Sequence, residues 1–549
     1  MRPPLLLTLI AVASGLSAAL LWGTEIPLGV PGEWTWPRIP FSAETLAGLL
    51  MLLPAAVVYV GWIAWSSQWL SEETRRRTGL SLFGLFIAGF LWLTAVQTAV
   101  PGVAGLSKAP FVLYYPRSSG YFWQARYEVA TTADFLAGYE ELMAERDYLH
   151  IGTHPPGLTL MFRGLLQMLE GSPALQEAVL ATQPAAVEAA VETIRQNSQS
   201  TSHVFNETDA ACLWLWTLLV QLSAAAVVVP LFLLLAERVD RAAAYYAVAL
   251  WPLVPAVAVF LPKSDVLFPF LSLLAAWLWF RGWRRRTVAA CAAAGFVLWW
   301  GMMCSLAFLP TAAIITLWTL LDAYPGWHED AGRLRVRESV RCLVGGACGF
   351  FGPLLILWAF CDLNLFAVWR WNLENHALFY DHNVRTAWKW LLINPLELTF
   401  AAGAPLAMLA IAGVIQSLRG RRHLPLVVAM LTIWGLLWLS GKNMGEAARL
   451  WIILMPWLVV AAGLLEESGG LSQERPRPSR RLWLTVVAAQ MLVSALTVTR
   501  IDGFHFDQLE ESAAAADQTA LRGILTGSVS GSSKSSATSQ RSRPRFLAR

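Results

Sequence analysis

The chain has 549 residues, of which 56% are hydrophobic and only 14% are charged. Soluble domains carry about 25% charged residues, so this composition excludes a soluble globular protein over most of the length. The formal net charge of +4 is too small to indicate a nucleic-acid partner, and we expect none.

Apolar runs that could cross a bilayer recur along the whole chain. A membrane-spanning helix needs about 20 predominantly apolar residues, because its backbone polar groups must bond within the helix. The sequence therefore predicts an all-α polytopic membrane protein with about thirteen spans. The runs are Leu5–Leu21, Leu46–Trp65, Leu80–Val100, Ala210–Leu235, Ala242–Leu261, Val266–Phe280, Val288–Met303, Leu306–Leu321, Leu343–Cys361, Phe400–Ile415, Leu424–Leu439, Leu450–Leu465 and Leu482–Val498. The first run also fits a signal peptide, but we favour a retained helix.

Arginines cluster in every second connection between these runs. Short loops rich in Lys and Arg stay on the cytoplasmic side of a membrane. The clusters lie at 75–77, 238–241, 281–286, 333–337, 419–422 and 475–481. We therefore expect a multi-pass protein of the cell membrane with a cytoplasmic N-terminus. Its extracytoplasmic connections are then 101–207, 262–265, 362–398 and 441–449.

This pattern divides the chain into four parts. Residues 1–100 form an N-terminal three-helix membrane segment, and 101–207 form a large extracytoplasmic loop. Residues 208–499 form a membrane bundle of about ten helices, and 500–549 form a largely disordered tail. The loop contains two apolar-faced stretches, Thr131–Arg146 and Leu158–Leu169, which predict amphipathic helices lying on the membrane surface.

The most polar and rigid part of the loop is the stretch Tyr148–Gly157. It holds His150 and His154 and ends in two prolines, which stiffen the backbone before the next helix. Proton abstraction from a hydroxyl needs a positioned carboxylate or imidazole. The candidate catalytic residues are therefore Glu128, Asp134, Asp147 and His154. The alternative is a capped amphipathic helix with a structurally satisfied histidine.

Charged residues at the predicted outer ends of two spans are the candidate substrate-binding residues. They are Lys263 and Asp265 in one connection, and Lys442, Glu446 and Arg449 in another, with His150 and Tyr121 from the large loop. Lys and Arg at such positions can hold a lipid phosphate by charge-assisted hydrogen bonds. The alternatives are a proline-stopped, Asp-capped hairpin at the first position and interfacial snorkelling at the second.

The sequence predicts no defined cofactor. The six cysteines form no CxxC pair, and the glycines form neither a GxGxxG nor a Walker loop. We assign no metal ligands, although a divalent metal stays an open alternative.

Two short motifs and the layout resemble the GT-C superfamily of integral-membrane glycosyltransferases, near the protein mannosyltransferase and aminoarabinose-transferase type. Thr153–Gly157 is similar to the family's (H/K)PP-L/G element, and Gly445–Trp451 resembles a late outer motif that ends in an arginine. The family usually carries an acidic catalytic residue in its first outer loop. The region we align with it, Arg117–Phe122, has no Asp or Glu, so the base stays open among Glu128, Asp134 and Asp147.

The resemblance implies a transfer of sugar from a polyprenyl-phosphate donor at the extracytoplasmic face of the cell envelope. The acceptor would be a glycan, a lipid or a protein. An outer-loop carboxylate would deprotonate the acceptor, while Lys263, Arg449 and Lys442 would stabilise the departing phosphate. Two alternatives are a lipid-carrier transporter or flippase and a catalytically inactive GT-C-like accessory protein.

Overall fold

The computed structural model describes residues 3–72, 74–323, 333–467 and 480–504. Within these ranges most of the chain is helical. The strands of the described residues form one antiparallel hairpin, in which β1 (Leu28–Val30) pairs with β2 (Trp34–Trp36) so that Leu28 faces Trp36 and Val30 faces Trp34. The predicted all-α class is therefore confirmed.

Four helices come first, and eight more lie between residues 108 and 198. The first four are α1 (Pro3–Gly23), α2 (Ala43–Met51), α3 (Leu53–Ser66) and α4 (Arg75–Thr98). The next eight are α5 (Lys108–Tyr114), α6 (Tyr121–Trp123), α7 (Thr132–Ala137), α8 (Tyr139–Ala144), α9 (His150–Thr153), α10 (Gly157–Glu170), α11 (Pro173–Leu180) and α12 (Ala185–Ser198). We call the end of the bundle that carries α5–α12 the loop end.

The remaining helices form most of the bundle. They are α13 (Glu207–Ala226), α14 (Val228–Leu235), α15 (Arg241–Val248), α16 (Pro255–Val259), α17 (Phe268–Arg285), α18 (Val288–Cys304), α19 (Leu309–Ala323), α20 (Arg333–Cys361), α21 (Leu365–His382), α22 (Ala387–Ala402), α23 (Ala404–Gly420), α24 (Leu424–Leu439), α25 (Ala447–Leu450), α26 (Pro456–Gly463) and α27 (Arg480–Val498).

The described residues contain nine helical segments that are long and apolar enough to cross a membrane, or ten if one bent pair counts as a span. Three shorter apolar helices accompany them at Val288–Cys304, Leu424–Leu439 and Ile452–Gly463. The span Arg241–Val259 is 94% buried, so other helices surround it, whereas Pro4–Gly23 is only 22% buried and lies at the edge. The protein is thus a polytopic helical membrane protein.

The bent pair is α22 and α23, whose axes differ by 110°. Gly403 joins them with a φ of +87°, a backbone conformation that side chains other than glycine's disfavour. The break frees backbone groups that must find new partners away from water. Gln490 supplies them, since its Nε2 donates to Ala402 O at 2.8 Å and its Oε1 accepts from Leu406 N at 3.1 Å.

The two predicted surface helices of the large loop differ from expectation. Thr131–Arg146 forms two helices, α7 and α8, with Gly138 between them, and Tyr139 and Met143 of α8 are buried in a core shared with α21. The second, α10, buries its apolar face against α13, where the rings of Phe162 and Trp216 stack at 4.1 Å. Both apolar faces therefore pack on protein rather than on lipid.

The start of the predicted tail is packed into the bundle. Arg500 is buried, and its guanidinium donates to the backbone oxygens of Leu21 and Ile39. The rest of the predicted tail, from residue 505 onward, lies outside the described residues.

Candidate functional site

Seven of the predicted site residues lie together at the loop end. We call them the rim cluster: Tyr121, His150, His154, Lys263, Asp265, Glu446 and Arg449. Four separate segments contribute these side chains, which contact one another or interact through their charges.

The two histidines are held by a tight turn. Asp147 accepts hydrogen bonds from Leu149 N at 2.9 Å and Gly152 N at 3.4 Å, which closes the turn before α9. A Cβ at Gly152 would lie 1.9 Å from Asp147 O, so the turn requires glycine there. Asp147 is therefore engaged in forming the turn.

The ring nitrogens of both histidines face backbone carbonyls, which can only accept. His154 Nδ1 therefore donates to His150 O at 3.0 Å, and His150 Nε2 donates to Arg117 O at 3.1 Å. His154 Nε2 is then the nitrogen that can accept a hydrogen bond from a ligand. The ring of Tyr121 lies 5.6 Å from that of His154.

Burial and nearby positive charge keep these imidazoles neutral. Burial, together with Arg449 and Lys263, lowers the pKa of His154 to about 3 despite its bond to His150 O. The pKa of His150 is also well below its usual value, because of burial and then the charges of Lys263 and Arg449. An imidazole of such low basicity accepts hydrogen bonds but is a weak base at neutral pH.

Asparagines of α21 fix the same turn from the other side. Asn372 Nδ2 donates to Gly152 O at 2.9 Å and His154 O at 3.3 Å, and Asn375 Nδ2 donates to Gly152 O at 2.9 Å. Tyr139 adds a hydrogen bond to His154 O at 2.8 Å. The sequence analysis did not identify either asparagine. No pattern at residues 372–375 indicates hydrogen bonds to a turn more than 200 residues away in the sequence.

Lys263 lies in the connection between α16 and α17 and is buried. Its ammonium donates to Ser118 O and lies 5.9 Å from the ring of Phe504. Burial and the charge of Arg449 lower its pKa to about 7, although Asp265 and Glu446 act in the opposite direction. Lys263 therefore changes charge near neutral pH.

Two carboxylates lie close to the guanidinium group of Arg449. Its Nη2 lies 3.2 Å from Glu446 Oε2, and its Nε lies 3.9 Å from Asp265 Oδ2. The Nε atom is buried without a hydrogen-bond partner in the described part of the chain. A ligand that brings an anionic oxygen could supply that bond.

The other predicted residues lie outside the cluster. Asp134 is exposed and accepts from Thr131 Oγ1 at 2.7 Å, as part of the cap of α7. Glu128 is exposed at the end of a helical turn, and the side chain of Lys442 is exposed. Among the described residues, no group of three or more His, Cys, Asp or Glu side chains could hold a metal ion.

A second polar group, which sequence reasoning missed, joins the hairpin to α22. Glu33 accepts four hydrogen bonds: Thr386 N and Oγ1 at 2.8 and 2.6 Å, Lys389 Nζ at 2.9 Å and Trp390 Nε1 at 2.8 Å. Burial alone would raise the pKa of Glu33, but these bonds outweigh it and lower the pKa to about 2. We call this group the clasp. An acidic residue directly before the Trp34-Thr35-Trp36 stretch of the first connection was the available signal.

The comparisons with known proteins add no family. No protein-family model matches the chain, and no curated protein matches it. The resemblance to the GT-C glycosyltransferases therefore rests on the two short motifs and the layout of the chain.

Proposed function

We propose that this protein transfers a sugar from a polyprenyl-phosphate donor to an acceptor hydroxyl, using the rim cluster. The observation that carries the proposal is the convergence of Lys263 and Arg449 with two carboxylates and two neutral histidines, from three segments that are distant in the sequence. Charged side chains buried inside a membrane bundle are costly and usually serve a function.

In this reaction the acceptor oxygen bonds to the anomeric carbon while the bond from that carbon to the phosphate oxygen breaks. The electron pair leaves with the polyprenyl phosphate, and the acceptor proton passes to a carboxylate. Arg449 and the protonated form of Lys263 stabilise the negative charge on the departing phosphate. The neutral His154 and Tyr121 suit hydrogen bonds to sugar hydroxyls.

We assign the role of proton acceptor to Asp265. Among the cluster's carboxylates, Glu446 forms the closer pair with Arg449, at 3.2 Å against 3.9 Å for Asp265. Asp147 is occupied by its turn, and the exposed Asp134 and Glu128 lie outside the cluster. The base would thus come from a different outer connection than the sequence suggested.

The proposed topology places the loop end outside the cell membrane and the N-terminus in the cytoplasm. If each of the nine long segments, the bent pair and the three shorter apolar helices crosses the membrane once, the chain makes thirteen crossings. With that number, the arginine-rich connections fall on the cytoplasmic side, in agreement with the positive-inside rule. The donor's lipid would remain in the bilayer and its phosphate would lie at the interface.

The test uses purified protein in nanodiscs with radiolabelled polyprenyl-phosphate mannose and polyprenyl-phosphate glucose. Enzyme-dependent release of polyprenyl phosphate, with the label moving to an added sugar alcohol or to water, supports the proposal. Movement of intact donor across liposomes without cleavage would overturn it in favour of a transporter. If the protein binds both donors but neither cleaves them nor moves them across the membrane, the proposal is overturned in favour of an accessory protein.

A further inference from the structure

An apolar cavity of about 210 Å³ lies at the loop end, and none of its lining residues belongs to the rim cluster. Its walls are formed by the hairpin, the end of α1, α16, α22, Ala448 of α25 and the end of α27. Representative lining residues are Leu20, Trp36, Phe260, Leu396, Ala401 and Ile501. Among the described residues that line it, Glu397 alone has an ionisable side chain.

The two oxygens of Glu397 have different surroundings. Oε1 accepts from Trp36 Nε1 at 3.0 Å and from Ala448 N at 2.9 Å. Oε2 is buried and has no hydrogen-bond partner within the described ranges. Leaving a buried carboxyl oxygen without a partner is costly, and native structures seldom do so without a functional reason. The free oxygen therefore points to a ligand that supplies the bond.

The edge of the cavity indicates an apolar ligand. Ile26 and Leu396 line the cavity and are nevertheless 55% and 58% exposed. Large apolar side chains with that exposure, in a polytopic membrane protein, are suited to contact lipid rather than water. A ligand entering past them would come from the bilayer and carry an apolar body.

We propose that the cavity binds an apolar molecule bearing a single hydroxyl group, such as a long-chain alcohol, with that hydroxyl bonded to Glu397 Oε2. A hydroxyl both donates and accepts, so it matches a carboxyl in either protonation state. A carboxylate or phosphate headgroup would instead bring a second negative charge into an apolar space. This site goes beyond the proposed sugar transfer and does not depend on it.

The experiment labels the protein in phosphatidylcholine nanodiscs with a diazirine-bearing hexadecanol and with the matched hexadecane. Mass spectrometry then maps the labelled peptides. The hydrogen bond should make labelling of peptides from 20–36 and 393–401 about tenfold stronger for the alcohol. Unlabelled hexadecanol should compete for it. Equal labelling by alcohol and alkane, or alcohol labelling elsewhere only, would overturn the proposal.

A pair of variants assigns the preference to the carboxyl. Glu397→Leu should remove the preference for alcohol over alkane, whereas Glu374→Leu, a change in an exposed ion pair with Arg370, should keep it. Retention of the preference in a folded Glu397→Leu protein would also overturn the proposal. If that variant does not fold, the comparison of the two probes on the wild-type protein still decides. None of these readouts involves sugar transfer.

Discussion

Asp265 Oδ2 and Arg449 Nε lie 3.9 Å apart at the loop end, although the chain between them crosses the bundle several times. The pair places a candidate proton acceptor beside a candidate phosphate ligand. Both belong to connections that the charge pattern of the sequence assigned to one side of the membrane.

Asp265→Asn should separate catalysis from binding. An amide cannot take the acceptor proton, so we expect kcat for sugar transfer to fall by about 10²–10⁴-fold. KM for the donor should stay the same or fall, because a negative charge near the phosphate is removed. Steady-state kinetics on the purified protein measure both. Equal effects from Asp265→Asn and the exposed control Glu374→Gln would refute the assignment of the base.

Lys263 should make donor binding depend on pH. Its pKa of about 7 lies below the usual 10.5, so its positive charge is lost as the pH rises through neutrality. We expect the affinity for polyprenyl phosphate to decrease between about pH 6 and 8. Binding titrations of Lys263→Met, which has no ammonium at any pH, should show a flatter profile. A parallel decrease in the variant would attribute the pH effect to other groups.

The clasp should contribute to stability. Glu33→Gln removes the charge that Lys389 meets at 2.9 Å, and we expect the free energy of unfolding to fall by about 1.5–3 kcal/mol. Thermal unfolding in detergent measures the change. Glu374→Gln, in an exposed helical pair with Arg370, should cost at most about 0.5 kcal/mol. Similar losses in both variants would contradict the role of the clasp.

The pKa of Glu33 also sets the direction of a pH effect. Because the folded value of about 2 lies below the ordinary 4.5, the clasp stabilises the protein fully above about pH 4.5. Its contribution is lost as the pH falls towards 2. The stability difference between wild type and Glu33→Gln should therefore shrink over that interval.

Replacing either of two glycines in the large loop by alanine should have opposite effects. Gly152→Ala would bring a Cβ to 1.9 Å from Asp147 O, so the turn must shift and sugar transfer should fall at least about tenfold. Gly164, inside α10, has open space around it, and Gly164→Ala should raise stability by about 0.5–1 kcal/mol with activity unchanged. Activity and thermal unfolding of both variants test this. Full activity in Gly152→Ala would show that the turn has no part in the reaction.

The sequence predicted what depends on local composition. Apolar runs anticipated the helices of the bundle, and the prolines and glycines around His154 anticipated a rigid turn before α10. The runs do not reveal where a helix bends, because the 110° break at Gly403 is stabilised by Gln490 from another helix.

The candidate site could be predicted only in part, because local sequence patterns do not reveal contacts between distant segments. Lys263 and Arg449 were recognisable as cations at the ends of apolar runs, and the structure brings them into one cluster. Asn372, Glu33 and Glu397 were missed because each acts on backbone or side chains far away in sequence. Only the packing of the helices brings those groups together.

The most direct test of the proposed sugar transfer is the rate of polyprenyl-phosphate release by Arg449→Ala. Without the guanidinium the departing phosphate loses its main stabilising charge, and we expect kcat to fall by about 10²–10³-fold. The matched control Arg370→Ala, whose side chain is 79% exposed, should keep the wild-type rate. A folded Arg449→Ala protein that releases polyprenyl phosphate at the wild-type rate would contradict the account.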